Sequence, residues 1–133
     1  MREILFRGKR EYDGKWIEGS LCTTIPSDEG FYTISFFDCE GYYIEERVSP
    51  ETVGQYTGLT DKNGTKIFEG DIVKGKDHLE KDLEVYGYID HKNGSFVIVG
   101  DFMTHYRWLD YEIEVIGNTT DNPELLKGGA DND

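Results

Sequence analysis

The side chains able to do chemistry in this 133-residue chain are its acids, three histidines and two cysteines. Glu69 and Asp71 stand two apart. On a strand they would project together, which is the minimum for a paired-carboxylate acid and base. Nothing in the sequence supplies a third group to push their pKa values apart, and neighbouring acids are common on an acidic surface. Asp61, Asn63 and Gly64 suggest a calcium loop, since EF-hand loops set oxygen ligands at alternate positions before an obligatory glycine. The register fails. With Gly64 on that glycine, Leu59 takes the first ligand position and Gly70 the position of the bidentate glutamate, so a hairpin turn is the better reading. His78, His91 and His105 lack the i, i+4 spacing of a helical metal pair and read as surface residues.

Nucleophile signatures are missing. There is no Gly-x-Ser-x-Gly elbow and neither glycine-rich phosphate loop. Cys39 lies between Asp38 and Glu40, without the positive surroundings and nearby His of a nucleophilic cysteine. Cys22 and Cys39 form no Cys-x-x-Cys or Cys/His cluster and too small a set for a disulfide framework, and both are expected to be buried thiols in a reducing cytoplasm. His105, Tyr106, Arg107 and Trp108 interleave a cation with aromatics, the combination that stacks single-stranded bases. With one Arg in a net acidic C-terminal half, core packing with a cation-aromatic contact is the favoured reading. No catalytic, cofactor-binding or metal residue is assigned, and the chain is not expected to be an enzyme.

The elements that must position these residues follow from composition and pattern. Aromatics make up 14% of the chain, with 16 Gly and 3 Pro, at a mean hydropathy of -0.59. That combination favours a compact β protein over a disordered one. The formal net charge is -13, from 14 Lys and Arg against 27 Asp and Glu, so the surface repels nucleic-acid phosphates at long range. A local exception is the start, with Arg2, Arg7, Lys9 and Arg10. No stretch approaches the roughly 18 apolar residues of a membrane helix, and the first residues lack the apolar run of a signal peptide. A cytoplasmic location in a bacterial host is expected.

The pattern predicts an all-β fold of antiparallel hairpins. An opening strand at Ile4 to Phe6 ends at Arg7-Gly8, and Asp13-Gly14 turns the chain into Lys15 to Cys22, with a bulge at Gly19. Residues 26–30 are a loop. Phe31 to Phe37, apolar on both faces, predicts a strand covered on two sides, and Glu40-Gly41 turns it into Tyr42 to Val48, closed by Pro50. Val53 to Leu59 and Thr65 to Val73 flank Asn63-Gly64, the composition of a type I′ turn, with a second bend at Gly70. Residues 74–82 are an exposed loop. Leu83 to His91 and Ser95 to Gly100 form a second hairpin around Asn93-Gly94. Asp101 to Leu109 is ambiguous between strand and helix, with strand or irregular structure preferred. Glu112 to Ile116 is a last strand, and Asn122 to Leu126 a helical turn with an Asn cap and Pro at its first position.

Three blocks carry a resemblance: ILFRGKREYDGKWIEGSL, ETVGQYTGLTDKNGTKIFEGDIV and EVIGNTTDNPELL. In this order they resemble the YopX family of small bacteriophage and prophage proteins, over Arg2 to Leu126. The resemblance implies a β-rich fold, a phage or prophage origin and self-association, and it brings no established activity and no catalytic residues. Thr119 and Thr120 depart from it, standing where the family tends to carry a larger apolar or aromatic residue. Separately, Glu69 to Val73, EGDIV, is similar to the start of the first strand of SH3-like barrels. The expected organisation is therefore one YopX-like β domain over 1–126, with an N-terminal β region over about 1–58, a barrel-like region over about 59–126, and a solvated acidic tail over 127–133. The expected role is that of an accessory phage protein acting by protein–protein interaction, as a homo-oligomer or on a host or phage protein. The alternative is a nucleic-acid role, as a DNA mimic or by direct contact through an SH3-like barrel, of which direct contact fits the charge less well.

Overall fold

The computed structural model describes residues 3–23, 31–77, 83–101 and 103–126. The loop expected at 26–30 and the tail at 127–133 lie outside them. The chain divides into two compact units, Met1–Tyr56 and Thr57–Asp133, each organised on antiparallel strands. Among the described residues no helix is long and apolar enough to cross a membrane.

In the first unit the strands are β1 (Phe6–Lys9), β2 (Trp16–Thr23), β3 (Tyr32–Phe37), β4 (Tyr43–Val48) and the first half of β5 (Gly54–Thr60), in the order β4-β3-β2-β1-β5. β1 runs through Gly8 instead of ending there, since Gly8 and Lys9 pair with Ile17 and Trp16 of β2, and Gly8 lies against Val48 and Ile34, where a side chain would have only 3.2–3.3 Å. Alternation puts Ile17, Ile34 and Val48 on one face, packed with Phe6, Leu21, Tyr32, Phe36 and Val53. The sheet curls over this core. Its far edge is tied back where Glu11 donates its N–H to Arg47 and Ser49 donates to Lys9, bridging Arg10 and Val48. Gly19 sits where β2 passes from β1 to β3, and a Cβ there would collide with the Ser35 carbonyl. Its expected bulge is thus a site of close backbone approach. β3 departs from expectation too, since Ile34 is fully buried while Phe37 is 70% exposed.

In the second unit β5 continues to Thr60 beside β6 (Lys66–Phe68). β7 (Asp71–Asp77), β8 (Glu84–Lys92), β9 (Ser95–Val99), β10 (Thr104–His105) and β11 (Tyr111–Asn118) form a sheet in the order β10-β9-β8-β7-β11. Its core is Ile67, Val73, Val85, Ile89, Ile98, Trp108 and Ile113. The barrel expected in this half does not close. β10 is two residues long, and the outer edge of β11 is occupied by the turn after β5, where Lys62 donates its N–H to Ile113 and the Asp61 carboxylate accepts the Val115 N–H.

Lys74 to Asp77, read as loop, belongs to β7, paired on both sides; residues 78–82 lie outside the described part. In the stretch 101–109, of which residue 102 lies outside the described part, the described residues include β10 and the start of a 3-10 turn, Trp108–Asp110. The two Asn-Gly pairs differ. Asn93 and Gly94 both have positive φ, 53° and 83°, the requirement of a type I′ turn. At Asn63-Gly64 only the glycine does, so the expected type I′ turn is absent. A helical turn covers residues 124–126, but the Asn122 side chain reaches back to accept the Asn118 N–H instead of capping it.

Candidate functional site

Asp61 has a use other than metal binding. Its residue is 7% exposed. Oδ1 accepts the backbone N–H groups of Asn63 at 2.8 Å and Thr65 at 2.9 Å, and Oδ2 accepts that of Val115 at 2.9 Å. Burial alone would raise its pKa, but the donors of Val115, Thr65 and Asn63, with the charge of Lys62, outweigh it and hold the carboxyl below its ordinary value. Asp61 thus shapes the turn after β5 and pins it to β11, 54 residues away. This is why Asn63 is spared a positive φ: a side chain makes the turn that the backbone makes at Asn93.

The other candidates are dispersed. Asp71 is 2% exposed and accepts the Phe68 N–H at 2.7 Å. Glu69 lies in the turn before β7 and not on the strand with it. His91 is exposed, stacked edge-on against Phe96. His105, expected at the surface, is half-buried with Nδ1 at 3.1 Å from the Tyr111 hydroxyl; His78 lies outside the described residues. Trp108 is 4% exposed and donates its indole N–H to the Phe96 carbonyl at 2.8 Å, while Arg107 is exposed. The ring faces the core, where no base can stack on it. Both cysteines are exposed, against the expectation of buried thiols. Cys39 sits at the β3–β4 turn and Cys22 near the end of β2, where alternation sends its side chain away from the core. Among the described residues no three His, Cys, Asp or Glu side chains are grouped so as to hold a metal ion.

A recess of about 280 Å³ opens between Leu59, Thr60, Trp108, Leu109, Tyr111 and Glu112. Its wall mixes apolar side chains with Thr60, Asp61, Lys62 and Glu112. The Lys62 amine at its margin lies 3.8 Å from Glu112 and 3.7 Å from Glu114, a position set by ion pairing along β11.

What the sequence reading missed is the end of the β3–β4 hairpin. The Asp38 carboxylate accepts the N–H groups of Glu40 and Tyr42, both at 2.9 Å, and Gly41 supplies a φ of 88°. That tight turn leaves Phe37, Tyr42 and Tyr43 at 70%, 66% and 59% exposure. Phe37 and Tyr43 are directly opposed across the strands, their rings edge to face with centroids 5.6 Å apart. Glu40 and Glu45 are exposed beside them, and Glu45 accepts the Thr33 hydroxyl at 3.0 Å. The available signal was period two: Phe37, Tyr43 and Glu45 share the face opposite Ile34, Phe36 and Val48.

The YopX protein family model matches residues 5–127. The chain belongs to the YopX family. Among solved structures, it is similar to the crystal structure of protein EF1440 from Enterococcus faecalis, at 24% identity and a TM-score of 0.54 over 95% of this chain and 99% of that one. It is also similar to the crystal structure of yopX from Bacillus subtilis, at 19% identity and a TM-score of 0.59 over the same shares. Identities this low carry the fold of this YopX-family chain and not a shared activity. No curated protein matches it.

Proposed function

We propose that this YopX-family chain is an accessory protein of a bacteriophage or prophage that works in the cytoplasm of its host by binding proteins, either other copies of itself or a host or phage target, and not by catalysis. The observation that carries this reading is the exposed aromatic cluster of Phe37, Tyr42 and Tyr43 rimmed by acids. Aromatic residues are enriched in protein interfaces, and clustered exposure is costly for a surface with no partner. The acids that suggested chemistry, Asp61 and Asp71, are instead consumed by backbone N–H groups.

Sedimentation of the pure protein across the micromolar range, with capture from host lysate before and after nuclease, tests the reading. A self-associated species, or a stoichiometric partner that survives nuclease, is expected. A monomer at every concentration that captures nothing would refute it. The net charge of -13 favours DNA mimicry as the second reading; a mimic displaces a nucleic-acid probe from its target while ignoring the free probe.

A further inference from the structure

We propose that the free edge of β4 is a strand-addition site for an extended, cationic segment of a partner protein. The inference rests on the protein-binding reading above and names its geometry and chemistry. β4 ends the strand order of its sheet. Among the described residues its outer side is covered only from Arg47 onward, where Glu11 donates to the Arg47 carbonyl and Ser49 donates to Lys9. The backbone groups that point outward repeat every second residue in an antiparallel strand. Since the Arg47 carbonyl points outward, the N–H and C=O groups of Glu45 and Tyr43 do so too. The pairing agrees: the Phe37–Tyr43 and Ser35–Glu45 pairs fall between the hydrogen-bonded ones, as the Asp38 N–H to Tyr42 carbonyl bond requires. Four main-chain groups in line are what an added strand uses.

The chemistry of the occupant follows from what stands beside those groups. On the outer face Phe37, Tyr43 and Glu45 lie together, with Tyr42 and Glu40 at the turn. Three rings exposed to this degree present on the order of 300–400 Å² of aromatic surface. Aromatic faces flanked by carboxylates attract guanidinium and ammonium groups by cation–π contact and by charge. On the inner face Ile44 is half-buried, so the alternate side chains of an added strand meet an aliphatic neighbour. A segment alternating Arg or Lys with Val or Ile satisfies both faces. A nucleic acid satisfies neither, since it brings no main-chain N–H and its phosphates meet Glu40 and Glu45.

The test is fluorescence anisotropy of the full chain with a labelled octapeptide alternating arginine and valine. Saturable binding is expected. It should weaken at least tenfold in the Phe37→Ser/Tyr43→Ser double variant and in Glu45→Lys, and stay within twofold in Glu112→Gln/Glu114→Gln, which alters acids on the second unit. The same peptide N-methylated at alternate residues, unable to extend the sheet, should bind at least tenfold more weakly to unmodified protein. That arm depends on no substitution folding. Equal binding of the N-methylated peptide, or equal weakening by the Glu112/Glu114 variant, would overturn the proposal as general attraction to an acidic surface. Self-association abolished by Phe37→Ser/Tyr43→Ser, with no peptide binding, would also overturn it, by making a second copy the occupant, while leaving the protein-binding reading intact.

Discussion

Replacing Asp61 separates a turn residue from a tertiary clamp. In Asp61→Asn one amide oxygen can still accept from Asn63 and Thr65, but the amide nitrogen then faces the Val115 N–H, donor against donor. Hydrogen bonds to a charged acceptor are worth roughly 1.5–3 kcal/mol each, and an orphaned buried donor costs about 1–3 kcal/mol. Val115 is half-buried in β11, whereas Asn63 and Thr65 are exposed and can turn to water. The loss in Asp61→Asn is therefore dominated by the Val115 donor, at about 2 kcal/mol, and Asp61→Ala, which removes all three hydrogen bonds, should cost about 3 kcal/mol. Against a total stability of roughly 5–15 kcal/mol either is a large fraction. The assay is urea unfolding followed by Trp108 fluorescence in a Trp16→Phe background, so that the signal comes from the second unit. Because the folded carboxyl titrates below its unfolded value of about 3.9, its contribution is fully present above that pH and is lost as pH falls through the lower folded value. The gap between wild type and Asp61→Asn should therefore narrow below about pH 4. A difference under about 0.5 kcal/mol at pH 7, or a gap that widens in acid, would refute the assignment of Asp61 as the clamp.

Three further outcomes follow from the same geometry. Asn93→Ala should destabilise by about 1 kcal/mol, because it forces an alanine to positive φ, while Asn63→Ala should stay within about 0.5 kcal/mol of wild type; urea midpoints of the pair check this. Gly87→Ala should cost about 2–3 kcal/mol, since the added methyl meets the Val99 carbonyl and Ile98 in the middle of the second sheet, measurable as a lowered thermal midpoint. Both cysteines should react with a thiol reagent in the native protein without unfolding, and protection of either until unfolding would contradict its exposure.

The strands were readable because antiparallel hairpins write themselves locally. Period-two alternation and Asn93-Gly94 are short-range signals, and β8 and β9 lie where they indicate. The three blocks of family resemblance lay open in the sequence for the same reason, being contiguous runs. What the sequence could not decide was how its turns and faces would be used. Nothing near Asp61 in the chain announces Val115, yet that bond across 54 residues sets the shape of the Asn63 turn and helps keep the second sheet open. Likewise FYTISFF carries apolar residues on both faces, and only the pairing of β3 with β2 and β4 decides that Ile34 is buried and Phe37 is not. Local sequence encodes which backbone conformations are cheap. Which side chains meet water, and which carboxylate finds a distant N–H, depends on partners remote in the chain, and so on the tertiary structure alone.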